Sequence, residues 1–246
     1  MPARVLILGG TGDARRLAQI LMDMGFATVT SLAGVTHDPL HPVGGLRVGR
    51  FGGAEGLADH LQSERYGAIV DATHPFAARM SRNAAMAASI TGTPLLRLER
   101  PPWTAAAEDI WIPVADTPAA VSALPSGARA LVTIGRTEIA AFFGRADIAG
   151  VARMIEPPES AVPQSWSLLL ARPPFTEEAE ADLMRQHRIT HLVTKNAGGA
   201  ATEAKLDATR SARIPVVMIE RPCKPRATTF PEPQVLAEAL RDMLSP

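Results

Sequence analysis

A chain of 246 residues, 46% of them hydrophobic, is long enough for one large domain or two small ones with a buried core. Acidic and basic residues balance at 25 each, which argues against a general nucleic-acid binder with its usual basic excess. The single cysteine, Cys223, excludes an internal disulfide and a multi-cysteine metal site, and it fits a reducing cytoplasm.

Two biases refine this picture. Aromatic residues make up only 4% of the chain, so the core is built from Ala, Leu, Val and Ile. Lysine occurs only at Lys195, Lys205 and Lys224, so arginine supplies nearly all the positive charge. Arginine grips carboxylate or phosphate through a planar, two-pronged donor set. GC-rich codon usage accounts for most of these arginines, and only those at strand ends beside motifs are read functionally.

The apolar run at 5–8 is cut off by Gly9 and Gly10. It is too short for a secretory signal or a membrane span, and it makes a first buried strand over 4–8. A helix follows over 13–24, with Leu17, Ile20, Leu21 and Met24 on one face. Strands are expected at 27–32, 46–48, 68–71 and 94–97, with helices at 54–64 and 76–90. Pro101, Pro102 and the run Ala105, Ala106, Ala107 break the alternation near 98–110. This reads as a crossover between two lobes, 1–100 and 101–246. The second lobe has strands at 111–114, 130–134, 151–155, 168–171, 191–194 and 216–219. Its helices fall at 177–187, 202–212 and 235–244. The stretches 157–163 and 222–233 read as loops held extended by proline. Most strands carry Val, Ile or Leu at successive positions, as strands buried on both faces do. The fold class is therefore α/β, with right-handed βαβ units around parallel sheets of about five strands in each lobe.

Four strand-to-helix turns carry chemistry. Gly9, Gly10, Thr11, Gly12 and Asp13 follow the first strand and open the first helix. Glycines let a backbone approach a phosphate closely, and the helix end supplies N–H groups. The plainer alternative is a tight turn with Asp13 capping the helix. No acid ends the second strand, where NAD-binding folds place one for the ribose 2′-hydroxyl. Ser31 there, with Arg50 after the next strand, suits a 2′-phosphate and favours NADPH. The second turn holds Asp71, Thr73, His74 and Pro75; its polar groups either face a ligand or cap the helix. The third is Gly135-Arg136-Thr137, where an arginine at a helix start makes more sense with an anion nearby. The fourth is Lys195-Asn196-Ala197-Gly198-Gly199, read as a further anion site in preference to an ordinary loop.

The segments Gly9-Gly10-Thr11, Asp71-Ala72-Thr73-His74-Pro75-Phe76-Ala77, Gly135-Arg136 and Thr194-Lys195-Asn196-Ala197-Gly198-Gly199 together resemble the precorrin-6A reductase family. The segments 203–206 and 214–222 match as well, so the resemblance spans nearly the whole chain. Asp13 and Ala197 depart from it, since many members carry Glu and Ser there. The resemblance implies two Rossmann-like lobes with an inter-lobe cleft that holds NADPH beside a metal-free, carboxylate-bearing ring. It implies reduction of one carbon–carbon double bond, giving precorrin-6B, without a metal or flavin. On that reading Gly9 to Asp13 hold the pyrophosphate, with Thr73 nearby, and Ser31 and Arg50 read the 2′-phosphate. His74 is the first candidate proton donor and Asp71 the second, with solvent or the substrate itself as an equal alternative. Arg136, Lys195, Asn196, Gly198 and Gly199 bind substrate carboxylates or the rest of the cofactor. Three alternatives stay open: a cobalt-containing substrate, a different NADPH-linked reductase or epimerase, and a nucleotide-sensing module. Epimerases of that kind often use a Tyr–Lys pair, and Tyr66, the only tyrosine, has no lysine near it in sequence. No membrane or nucleic-acid partner is expected.

Overall fold

The computed structural model describes residues 3–34 and 40–244. The chain falls into two compact units, Met1–Pro101 with Pro222–Pro246, and Pro102–Arg221. The first begins β1 (Arg4–Leu8), α1 (Gly12–Asp23), β2 (Ala27–Leu32), β3 (Gly45–Val48), α2 (Ala54–Ser63), β4 (Ala68–Asp71), α3 (Ala78–Thr91) and β5 (Leu95–Leu98). The second contains β6 (Trp111–Val114), α4 (Thr117–Ala123), β7 (Arg129–Val132), α5 (Ala140–Phe143), β8 (Ala149–Met154) and β9 (Trp166–Leu170). It continues through α6 (Glu177–Gln186), β10 (His191–Lys195), a 3₁₀ turn at Ala200–Thr202, α7 (Ala204–Ser211) and β11 (Val216–Ile219). The chain then returns to the first unit with β12 (Thr228–Phe230) and α8 (Pro233–Leu244).

Both sheets are parallel and six-stranded, in the orders β12-β5-β4-β1-β2-β3 and β6-β11-β10-β7-β8-β9. The first follows the 3-2-1-4-5-6 arrangement of a dinucleotide-binding fold, and the second shares the first five positions of it. In each, the sixth position is filled from outside the continuous run of the other five. β12 closes the first sheet after the whole second unit has intervened, and β6 joins the second sheet ahead of its first strand, β7.

The consecutive apolar residues of β1 serve two cores. Val5 and Ile7 pack with Leu17 and Leu21 of α1 and with Leu236 and Leu240 of α8. Leu6 and Leu8 face the opposite way, onto Leu57 and Leu61 of α2 and Ala84 and Ala87 of α3. Both faces are covered, which is why the strand needs no polar alternation. In the second unit Leu131, Val151, Leu192 and Val216 form the equivalent core with Met184 and Leu206.

The α/β class and the two Rossmann-like units agree with the sequence reading. Four details differ from it. Residues 222–244 join the first sheet, not the second lobe, because β12 pairs with β5 and α8 covers α1. Each sheet has six strands, not about five. Helix α1 starts at Gly12 with Thr11 as its N-cap, so Asp13 does not cap it. Helix α3 starts at Ala78 and has no side-chain cap, so neither Thr73 nor His74 serves that end. Among the described residues no helix is long and apolar enough to cross a membrane.

Candidate active and cofactor site

In the first sheet the chain leaves β1 toward β2 on one side, while β4 lies on the other. Open α/β sheets bind ligands at such a switch point, outside the carboxyl ends of the strands. The two turns singled out in the sequence, after β1 and after β4, meet there. A Cβ on Gly9 would lie 2.6 Å from Thr30 Cγ2, and Gly10 has φ +107, so the turn needs glycine at both positions. The Thr11 hydroxyl donates to the Ala72 carbonyl and accepts from the Ala14 N–H, each at 3.0 Å. It therefore ties the two turns together and caps α1, and is already engaged on both sides. What the turn offers an anion is the backbone of Gly12 and Asp13, in the first turn of α1. Asp13 pairs with Arg100 at 2.7 Å. Thr11, Asp13, Thr73, Pro75, Leu98, Glu99 and Arg100 line a shallow pocket at this edge.

Asp71 ends β4 and is almost fully buried. Its carboxylate accepts from the Thr73 hydroxyl at 2.6 Å and from Arg97 Nε at 3.1 Å. Burial pushes the Asp71 carboxyl up, but hydrogen bonding led by Thr73, with the charges of Lys224 and Arg97, outweighs it and holds the group below the usual carboxylate range. An acid kept ionised in this way does not suit the proton-donor role that the sequence reading gave it; it anchors Thr73 instead. His74, by contrast, is exposed. Its Nδ1 accepts the Phe76 N–H at 3.3 Å, and its ring lies 5.8 Å from that of Phe76. The returning tail is fastened to this edge, with Lys224 paired to Glu99 at 2.5 Å and the Pro225 carbonyl accepting from Arg97 at 3.0 Å.

At the far side of the first sheet, Ser31 of β2 stands in register with Arg47 of β3. Arg47 Nη1 reaches Ser31 Oγ at 3.4 Å and the Gly49 carbonyl at 2.7 Å, and Nη2 donates to the Arg50 carbonyl at 3.0 Å. The guanidinium lies 3.7 Å from the centre of the Phe51 ring. Arg47, not Arg50, is thus the arginine that the fold brings to Ser31. Arg50 contributes its carbonyl to that contact, and its residue is exposed.

The corresponding switch point in the second sheet lies between β7 and β10. Gly135 there has φ +96, close to that of Gly10. No helix starts directly after Arg136, since α5 begins at Ala140, so the helix-dipole argument for an anion falls away. Arg136 faces Glu156 at 3.5 Å, and Lys195 pairs with Glu138 at 2.8 Å. Glu138 also accepts from the Thr117 hydroxyl at 2.6 Å. Asn196 is differently placed. Its carboxamide accepts from the Trp103 N–H at 2.8 Å and donates to the Trp103 carbonyl at 3.1 Å. Both ends of the carboxamide clamp the Trp103 backbone, which leaves one N–H of Nδ2 outside these two bonds. Arg221 holds the carbonyls of Asn196 and Ala197 at 2.8 and 3.0 Å. Gly198 and Gly199 take φ +68 and +85 and turn the chain into the 3₁₀ segment.

Residues 4–241 match the family model described as precorrin-6x reductase CbiJ/CobK. The chain belongs to this family. A precorrin-6A reductase of Rhodococcus erythropolis is 51% identical over 227 residues, covering 92% of each chain. A solved structure titled CobK precorrin-6A reductase superposes with a TM-score of 0.92 at 43% identity, over 98% of this chain and 97% of that one. A cobalt-precorrin-6A reductase of Methanothermobacter thermautotrophicus is more distant, 32% identical over 89% of this chain and 76% of its own length. Family membership makes the chain an oxidoreductase that acts on a small molecule and draws on a nicotinamide cofactor.

For a reductase of this family, four side chains at the first sheet's carboxyl edge escaped the sequence reading. They are Arg47, Arg97, Arg100 and Lys224. Arg97 and Arg100 sit at the end of a predicted strand, the place where a functional arginine was to be sought. Arg47 was hidden inside a short strand, and Lys224 in a segment read as a loop of the other lobe.

Proposed function

We propose that this chain reduces one ring carbon–carbon double bond of precorrin-6A with NADPH, giving precorrin-6B in cobalamin biosynthesis. The observation that carries the choice of NADPH is the Ser31–Arg47 pair at the carboxyl ends of β2 and β3. A dinucleotide lying across the β1–β4 switch point extends its adenosine ribose toward that pair. A guanidinium stacked on Phe51 and held by two carbonyls is already oriented for a 2′-phosphate. The close approach at Gly9 and the positive φ of Gly10 support a diphosphate at the turn.

When bound, the nicotinamide supplies the hydride, and the protein positions and polarises. Asp71, held ionised, fixes Thr73 and the turn after β4. His74, whose Nδ1 accepts the Phe76 N–H at the edge where β4 ends, is the side chain that delivers the proton to the ring carbon. Arg136 and Lys195 take substrate carboxylates in exchange for Glu156 and Glu138. The higher identity to relatives named for precorrin-6A than to those named for its cobalt counterpart favours a cobalt-free ring. The lone cysteine suits a cytoplasmic setting.

The test is anaerobic consumption of NADPH by the purified protein with precorrin-6A, with NADH as the control. Substrate-dependent loss of NADPH absorbance, with little from NADH, is the expected result. NADPH binding without turnover would overturn the substrate assignment and point to the cobalt-containing ring.

A further inference from the structure

The reading of the β1 turn as a diphosphate site raises a conflict of charge. Asp13 is an acid in the first turn of α1, where the helix end favours a negative group. An incoming diphosphate wants the same field. Arg100 lies two residues beyond β5, and β5 is separated from β1 by β4. Its guanidinium nevertheless reaches Asp13, and both residues line the pocket with Thr11, Thr73 and Pro75. The two side chains retain 24% and 39% of their exposure. An ion pair that open to water contributes little to stability and is readily exchanged. A phosphate is the better partner for Arg100, because it offers more charge and a two-pronged acceptor edge. The Arg15 guanidinium also folds toward this turn, with Nη2 3.8 Å from the position a Cβ on Gly12 would take.

Resting on the cofactor reading above, we infer that the Asp13–Arg100 pair is a displaceable latch: the cofactor diphosphate takes Arg100 from Asp13, so Arg100 adds affinity and Asp13 lowers it. The two residues then have opposite effects on one equilibrium, which a merely structural ion pair would not produce. Losing either partner of a structural pair weakens the site in the same direction.

The experiment measures NADP⁺ dissociation constants by calorimetry for the wild type, Asp13→Asn, Arg100→Gln and the double variant, with thermal unfolding as a check on folding. Arg100→Gln should weaken binding roughly tenfold or more, as loss of a charge-assisted hydrogen bond does. Asp13→Asn should tighten it roughly two- to fivefold, the scale of an exposed pair. In the Arg100→Gln background Asp13→Asn should lose most of that gain, and Arg100→Lys should recover part of the affinity. Adenosine 2′-monophosphate, which lacks the diphosphate, should bind all variants alike. Weaker or unchanged NADP⁺ binding by Asp13→Asn, with normal binding by the wild type, would overturn the latch alone. Failure of the wild type to bind NADP⁺ would overturn the cofactor reading and the latch with it.

Discussion

Arg97 on β5 donates through Nε to Oδ2 of Asp71 on β4 at 3.1 Å, and the two side chains are only 7% and 1% exposed. Arg97 also has one buried nitrogen, Nη2, without an acceptor among the described residues. Removing Asp71 would leave a buried guanidinium with still fewer partners. Asp71→Ala should cost about 3–5 kcal/mol, the usual penalty for breaking a buried pair from one side. Urea unfolding of the variant against the wild type measures it. The pair also sets a pH dependence. The folded-state pKa of Asp71 is lowered, so its contribution is fully present above the unfolded value of 3.8 and is lost as pH falls through that value toward the folded one. Acid unfolding of Asp71→Asn should accordingly show a shallower loss of stability in that window.

Cofactor choice should follow Arg47. Arg47→Ala is expected to raise the NADPH dissociation constant roughly tenfold to a hundredfold and to leave that of NADH nearly unchanged. Arg50→Ala should do neither, because its carbonyl makes the contact. Fluorescence titration of both variants with both nucleotides checks the assignment, and equal losses for NADPH and NADH would refute it.

Proton delivery should follow His74. A positioned general acid contributes roughly a hundredfold to ten-thousandfold. His74→Ala is expected to lower kcat within that range while the NADPH dissociation constant stays put. Single-turnover rates with precorrin-6A check it, and an unchanged rate would remove His74 from the chemistry.

In the second unit, Lys195 and Asn196 are neighbours with different jobs. Lys195→Ala should raise the KM for the ring substrate with little loss of stability. Asn196→Ala should do the reverse, costing about 1–3 kcal/mol because the Trp103 backbone loses both partners. Paired unfolding and steady-state measurements separate the two.

Gly9→Ala tests the turn itself. The new methyl would meet Thr30 Cγ2 at 2.6 Å, so the buried Thr30 side chain or the turn must shift. About 1–3 kcal/mol of stability should be lost, as for other overpacked sites, together with NADPH affinity.

Much of this fold was written in local pattern. Strands at 4–8, 27–32, 68–71, 111–114 and 216–219 were legible to the residue, most of them as runs of apolar side chains and 27–32 through its β-branched Thr28, Val29 and Thr30. β12 was not legible. Three residues, Thr228 to Phe230, carry no period of their own, and proline surrounds them; only their pairing with β5 makes them a strand. The candidate site divides the same way. Gly9, Gly10 and His74 sit at a sheet edge that chain order alone locates. The engagement of Thr11 with Ala72, of Asn196 with Trp103 and of Arg47 with Ser31 depends on residues 61, 93 and 16 positions apart. No local signal reports such contacts. Arg50 stands out in the sequence and Arg47 does not for this reason: sequence shows which residues follow a strand, but not which side chain turns back along it.

The late return of β12 and α8 bears on how the protein is made. Leu236, Ala237 and Leu240 cover the same face of α1 that lies behind the glycine turn. On the ribosome, the first hundred residues emerge well before that cover exists. Until 228–244 have been synthesised, α1 keeps an apolar face in water and β5 keeps an unpaired edge. The unit that reads first in the gene is therefore the last to be completed, and nascent chains stalled between residues 220 and 228 should be captured by chaperones even though every strand of their second sheet has been synthesised.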